Sequence, residues 1–515
     1  MLEKLRDRRL LIAILLVLVF TFVLIQTSWA GDDTYITMRT VDNFIHGYGL
    51  RWNVDERVQV FTHPLWMFML AAVYSLVRNP HLTLIGLSIT VSVATFILLL
   101  ALVPRSSFSL LLAGMILILS KAFIDYSSSG LENPATHLLL LIFCIVALGT
   151  SMASEKRIFI LSLLGGLLML NRMDTALLVL PTLAVMLWKN RSRRTLALFL
   201  AGMSPFLLWE IFSIIYYGFP LPNTYYAKLD SGVPLIALIP QGLLYFVNSF
   251  LWNPITLIVI ISALVLALIG KELTEKLLAL GVILYLFYIV LIGGDFMSGR
   301  FFTAPLIVSV VLLVHHVENI STLKKWIWVL VVILLGWVLA PVRSVEDMKS
   351  SLDSFAGIAD EMFGYYPYTN LRLLPRDTLM PDTPWTQRGE MLRANGETVS
   401  VEGAIGMLGY FAGPNVHIID TLSLADPLLA RLPTDDPLEW RIGHFSRTLP
   451  DGYLETFESG ENMIKDPGLA EYYNQLRLIT SGPIWSAERW RAIWLMNTGQ
   501  LKGLLTNYEQ SSGEK

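Results

Sequence analysis

Apolar residues run through the first two thirds of the chain in blocks of 14 to 23 positions, each ended by a few polar or charged ones. A bilayer core about 30 Å thick takes about 20 apolar residues as helix, so blocks of this size read as membrane segments. They fall at 10–29, 64–78, 82–103, 108–124, 133–150, 157–170, 174–188, 195–217, 252–270, 275–292, 301–318 and 323–342. The first follows the basic start MLEKLRDRR and closes on SWA, as a cleaved signal peptide would. Its apolar run of about 19 residues exceeds the roughly 7–15 of a signal core, so it reads as a retained anchor.

Lysine and arginine in short loops collect on the cytoplasmic side. The amino terminus (Lys4, Arg6, Arg8, Arg9), KNRSRR at 189–194, KELTEK at 271–276 and the Lys324–Lys325 pair then all face inward. Tracing back from Lys189 adds Glu155–Arg157 and Arg105. The parity works only if one segment does not cross, and 64–78, short and preceded by a polar stretch, is read as re-entrant or interfacial. About eleven crossings remain, with an external carboxyl terminus. Each polar, motif-like loop falls on the outer face: GDDTY at 31–35, SSSGLENP at 127–134, NRMD at 171–174, FPLPNTYYAK at 219–228 and GGDFMSGR at 293–300. Beyond 342 the pattern changes to prolines, tryptophans and mixed charge, with short apolar runs (AIGMLGYFAG, NVHIID) and helix-like stretches near 468–478 and 484–507. The expected architecture is a polytopic α-helical membrane body over 1–342, with 31–63 as its first external loop, followed by a small extracytoplasmic α/β domain over 343–515.

Composition sharpens this picture. Of 515 residues 54% are hydrophobic and 15% charged, against about 25% charged in soluble chains, and mean hydropathy is +0.58. A string of soluble domains is excluded. The 38 basic and 41 acidic residues nearly cancel, which argues against a nucleic-acid partner. They are unevenly spread: residues 343–515 hold 15 basic and 24 acidic side chains, a net −9, leaving +6 for the membrane part. Cys144 is the single cysteine, so neither an internal disulfide nor a cysteine metal site can form.

Asp32 and Asp33, next to the first anchor, either mark a solvated helix end or furnish a general base for an acceptor hydroxyl. Adjacent acids favour the second role, since each raises the other's proton affinity. Arg172, Lys228 and Arg300 are the cations on that face best suited to a phosphate, by guanidinium fork or ammonium point charge. Each of the two arginines lies within two to five residues of an acid, Asp174 or Asp295. Glu132, before Asn133 and Pro134, is a further candidate or a helix cap. Asn223 and Tyr225 combine amide and hydroxyl as a sugar site would, and Tyr225 with Tyr226 could equally form an interfacial belt. His63, before Pro64, is a substrate contact or a polar boundary residue. In the C-terminal part Asp420, Asp426, Arg441 and His444 either contact an acceptor or satisfy buried loops, while Trp385, Trp440 and Trp485 can stack on sugars or fill a core. The chain has no P-loop, dinucleotide-binding glycine pattern or HExxH. An external site has no nucleotide supply, so a donor must arrive through lipid.

Six ordered blocks carry a resemblance: GDDTYITMRTVDNFIHGYGLRWNVDERVQVFTHPLW, SSSGLENP, NRMD, YYGFPLPNTYYAK, GGDFMSGRFFTAP and AIGMLGYFAGPNVHIIDTLSLADPLLARLP…WRIGHFSRTLP. Together they are similar to the membrane-embedded GT-C glycosyltransferases, specifically the terminal arabinofuranosyltransferases and their Gram-negative relatives. His63 stands where those relatives usually have asparagine, Met173 where they have proline and Phe61 where they have tyrosine. The resemblance implies a GT-C body and a polyprenyl-phosphate-linked pentose donor, such as decaprenyl-phosphoryl-arabinofuranose. It also implies one of Asp32 and Asp33 as base, and a multi-pass protein of the cell (inner) membrane among membrane lipids. The acceptor is an extracytoplasmic glycan or, as in some relatives, a pilin protein. An inverting or at least metal-sparing transfer is expected, with no certain cofactor and no assigned metal ligand, although the paired acids could hold a divalent cation against the donor phosphate. A transporter or flippase is the rival class. It would place polar residues in mid-helix, whereas here they cluster at one membrane face.

Overall fold

The computed structural model describes residues 2–149, 152–229, 232–317, 322–337, 355–435, 440–505 and 508. Among these, six helices are long and apolar enough to cross a membrane: Arg8–Thr27, Pro80–Leu102, Arg193–Tyr216, Leu235–Trp252, Leu273–Leu291 and Arg300–Val317. A seventh arises if Ser107–Leu119 and Lys121–Ser127, bent by 73°, form one span. The bend has a local cause. Ser120 is extended, and its hydroxyl accepts the Phe123 N–H in place of a continued helical bond. The chain is thus a helical protein with several apolar spans, as a polytopic membrane protein requires.

Among the described residues six or seven helices are thus able to cross, where the sequence pattern suggested about eleven crossings. The segment expected at 323–342 is described only over Thr322–Trp337; those expected at 133–150 and 252–270 form helices of only 16 residues, Asn133–Leu148 and Pro254–Ile269. At about 1.5 Å per residue each spans about 24 Å, short of the hydrocarbon core. The segment expected not to cross is the 14-residue helix Pro64–Val77. Leu235–Trp252 was overlooked in the pattern because Pro240, Gln241 and Asn248 interrupt its apolar run.

The chain forms two compact units. The first comprises 1–31, 77–207 and 235–381, and the second 32–76, 208–234 and 382–515. The sequence boundary expected at 342 lies outside the described residues.

In the first unit the helix Arg300–Val317 is largely enclosed, 78% of its apolar window being buried. A helix apolar on all sides and buried belongs at the centre of a bundle, and that places Arg300 at the end of the core element. Two glycines allow close helix contact. A Cβ on Gly281 would lie 2.2 Å from the Leu178 carbonyl oxygen, and one on Gly242 2.3 Å from that of Val290. Such small-residue contacts are the usual means of helix association in lipid, where apolar burial drives little.

The second unit holds a two-stranded parallel sheet, Val399–Glu402 beside His417–Asp420, in register Val399↔His417 through Glu402↔Asp420. Parallel strands need a crossover, and the helix Gly406–Ala412 supplies it. AIGMLGYFAG is therefore helical, while NVHIID contains the buried second strand. The two late helix-like stretches form Pro467–Ser481 and Ala487–Asn497. A core of Leu428, Leu429, Tyr453, Leu469, Leu476 and Ile479 lies beneath them.

Candidate functional site

The charged sequence candidates gather in two clusters, one in each unit. In the first unit three helix-end loops meet on one carboxylate. Glu132 precedes the helix Asn133–Leu148, Arg172 follows Ser154–Asn171, and Arg300 opens the short turn Arg300–Phe302. Arg172 Nη1 lies 3.1 Å and Arg300 Nη2 3.0 Å from the same oxygen, Glu132 Oε1. Arg172 also donates from Nε to Asp174 Oδ1 at 3.1 Å, and Arg300 Nη1 stands 3.5 Å from Asp295 Oδ2. Tyr285 donates to Asp174 Oδ2 at 2.9 Å, and Phe301 places its ring 4.9 Å beneath the Arg172 guanidinium. Asn171 holds the loop by donating to the Glu132 carbonyl (3.1 Å) and the Thr136 hydroxyl (2.9 Å). Gly299, at φ +74°, makes the left-handed turn that delivers Arg300, and a Cβ there would strike Ala122 at 2.8 Å.

This cluster sets three carboxylates against two guanidiniums. Buried ion pairs are costly to desolvate and seldom add net stability, so a network of five charges is better explained by function. As it stands the arginines are already neutralised. To hold a phosphate, either must exchange a carboxylate for a phosphate oxygen.

The second cluster opens from the helix Asp32–Ile45, whose first turn carries both aspartates. Negative charge is favoured at a helix amino end. Asp32 reaches beyond its own helix: its two oxygens accept the N–H groups of Gly406 (2.8 Å) and Met407 (2.7 Å), at the start of Gly406–Ala412. Burial pushes its carboxyl up to about 6, against the pull of those two donors, with Asp33 adding to the rise. Asp33 instead belongs to a group with Lys228, Arg441 and His444. Arg441 and His444 pair across a tight turn at Gly443 (φ +77°). Burial, with Arg441 and Lys228 beside it, lowers the His444 pKa to about 4 against the opposing charge of Asp33. The imidazole is therefore neutral at pH 7, with two cations and one carboxylate around it. This cluster is net positive and the first is net negative.

Other sequence candidates are turned toward the protein's own backbone. Asn223 Nδ2 donates to the carbonyls of Ser423 (3.0 Å), Leu424 (3.1 Å) and Asp426 (3.0 Å), and its oxygen accepts from Arg431. Asp420 accepts from Leu422 and Ala425 N–H, and Asp426 from Leu428 and Leu429 N–H and from Tyr453. Both acids are buried and satisfy their own loops. His63 Nε2 lies 2.9 Å from the Thr37 hydroxyl. Tyr225 is exposed beside Tyr226. Of the tryptophans, Trp485 is 75% exposed, whereas Trp385 packs on the core and Trp440 stacks on Phe445. Tyr285 and Phe301 went unnoticed in the sequence because each sits in or beside an apolar run. A phenol seven residues from the end of a presumed span gives little signal.

The paired acids do not fit a divalent cation well. Asp32 already uses both oxygens on backbone donors, and among the described residues no three His, Cys, Asp or Glu side chains converge for a metal.

The chain is similar to two curated proteins, both named terminal beta-(1->2)-arabinofuranosyltransferase. The one from Mycobacterium tuberculosis is 25% identical over 553 aligned positions, covering 87% of this chain and 85% of that protein. The one from Corynebacterium glutamicum is 25% identical, covering 87% and 80%. Among solved structures, ArnT from Cupriavidus metallidurans bound to undecaprenyl phosphate superposes with a TM-score of 0.49 at 12% identity, over 81% of this chain and 86% of that one. No family model matches the chain. The expected resemblance to terminal arabinofuranosyltransferases is thus borne out, and the enzyme class for which those relatives are named is the expected one, a glycosyltransferase.

Proposed function

We propose that this protein is a GT-C-type membrane glycosyltransferase. It transfers arabinofuranose or a similar pentose from a polyprenyl-phosphate donor to an extracytoplasmic glycan. The observation that carries the reading is the likeness to the two arabinofuranosyltransferases along 87% of the chain. The catalytic loops and the domain over 343–515 face away from the cytoplasm of the cell (inner) membrane, and the amino terminus faces in.

In this reading Asp33 is the base and Asp32 its anchor. Asp32 ties the catalytic helix to the turn at Gly406 and Met407 through both oxygens, which leaves Asp33 to meet the acceptor. Asp33 takes the hydroxyl proton, and the acceptor oxygen forms its bond to the anomeric carbon. The bond from that carbon to the phosphate oxygen breaks, and its electron pair leaves on the lipid phosphate. Fixed cations stabilise this charge best in a site poor in water. Lys228, in the net-positive cluster, is the strongest phosphate ligand. Arg172 and Arg300 take the same role only by loosening Glu132, Asp174 or Asp295. No acid is needed on the leaving side, because a phosphate monoester is a good leaving group.

The test is transfer by purified protein in vesicles, supplied in parallel with polyprenyl-phosphate-linked arabinose and polyprenyl-phosphate-linked hexose. Sugar transfer from the pentose donor alone supports the proposal. Transfer from the hexose alone overturns the pentose assignment, and transfer from neither overturns the function.

A further inference from the structure

Eleven residues before Glu132 lies a second buried charge group that the proposed reaction does not use. Lys121 opens the short helix Lys121–Ser127. Its ammonium pairs with Asp125 one turn on and, at 2.9 Å, with Asp360 Oδ2. All three side chains are more than nine-tenths buried, and the ammonium sits 4.7 Å over the face of Phe363. Such a group costs too much desolvation to be kept for stability alone.

Its surroundings give it a purpose. Ala359, next to Asp360, forms a bridge with Met297: its N–H donates to the Phe296 carbonyl at 2.8 Å, and its own carbonyl accepts from Ser298 N–H at 2.9 Å. From the other end of the same short helix, Tyr126 donates to the Ser298 carbonyl at 3.1 Å. Helix 121–127 therefore grips the loop 293–300 twice, directly through Tyr126 and indirectly through Asp360. That loop carries Asp295 and ends at Arg300, which reaches Glu132.

We infer that Lys121, seated between Asp125 and Asp360, is a positioning residue that fixes the 293–300 loop and through it the Arg300 guanidinium. Removing the ammonium leaves two buried carboxylates facing each other. They part, the strand-like contact at Ala359 slackens, and Arg300 loses its place. The inference rests on the proposed role of Arg300 toward the donor phosphate.

The test uses full-length purified protein with the lipid-linked pentose donor. Lys121→Ala is expected to raise the donor KM by about tenfold or more while leaving the acceptor KM unchanged, and Lys121→Arg restores it to within a few-fold. Tyr126→Phe, which removes one hydroxyl and keeps the ring, raises the donor KM in the same sense by a smaller factor. In an Arg300→Ala background Lys121→Ala adds nothing further, because two residues acting through one contact are not additive. A loss of activity that only follows the loss of folded protein, with both KM values and the turnover of the folded fraction unchanged, marks a folding defect and overturns the inference. So does an effect of Lys121→Ala that persists in full without Arg300, or no effect at all. Should Lys121→Ala fail to fold, Tyr126→Phe decides alone: an unchanged donor KM overturns the inference. If the wild-type protein transfers no pentose, it is the functional reading that fails.

Discussion

The two units handle buried polarity in opposite ways. In the first, charged side chains bond to one another: Glu132 to Arg172 and Arg300, Asp174 to Arg172 and Tyr285, Lys121 to two aspartates. In the second, most buried polar side chains bond to backbone. Arg39 donates to the carbonyls of Trp52, Gly409 and Val416, and Arg489 to those of Ile215, Tyr216, Ile479 and Ile484. Backbone partners tell of scaffolding, since they replace strands and caps that a loop-rich unit lacks. Side-chain partners can be exchanged for a substrate. Asp33, Lys228 and Arg441 are charged side chains gathered around His444 in the second unit, and for that reason functional candidates.

The comparison can be broken in several ways. Asp33→Asn should cut turnover by about 10²- to 10⁴-fold, the usual worth of a general base, with the unfolding midpoint unchanged. Equal losses of turnover and midpoint would make Asp33 scaffolding as well. Glu132→Gln removes the carboxylate that gathers both arginines, and breaking such a buried pair costs about 3–5 kcal/mol, measured by denaturant unfolding of the purified protein. Asp32→Ala strands two buried N–H donors and should cost about 1–3 kcal/mol. Asp420→Asn should lower stability by less than this and leave the acceptor KM unchanged, whereas a raised acceptor KM would return that loop to the site.

The smallest effect is one of pH. The His444 pKa falls from an ordinary 6.5 to about 4 on folding. The unfolded chain binds the extra proton in that window, so this contribution to stability is present above pH 6.5 and lost as pH falls to 4. Asp32 works the other way. With its carboxyl raised from 3.8 to about 6, the folded chain binds the extra proton, and stability grows as pH falls from 6 toward 3.8. The two slopes offset each other. His444→Gln should therefore make the protein gain stability on acidification from pH 6 to 4.5, read as a rising thermal midpoint.

The helical membrane body and the polar loops between its helices were legible because hydropathy and loop composition are local signals. Arg172 with Asp174 and Arg300 with Asp295 could be paired from spacing alone. Their meeting at Glu132 could not, because it joins loops 40 and 168 residues apart. Asn223 looked like a sugar ligand from its residue type and Asp426 could be read as an acceptor contact or as satisfying a buried loop; only coordinates reveal that both are taken up by main chain. Lys121 and Asp125 stood four apart at the end of an apolar run, a visible sign of an intramembrane or boundary charge. Their partner Asp360 lies across the sequence, so the purpose of the pair stayed hidden. Crossing number was least legible, since 16-residue helices fall between a span and a core element.

The most direct measurement follows release of polyprenyl phosphate from radiolabelled lipid-linked arabinose by wild-type protein and by Asp33→Asn, both shown folded by their unfolding midpoints. The account predicts release coupled to acceptor glycosylation in the wild type and near-complete loss in the variant. Undiminished release by Asp33→Asn would contradict it.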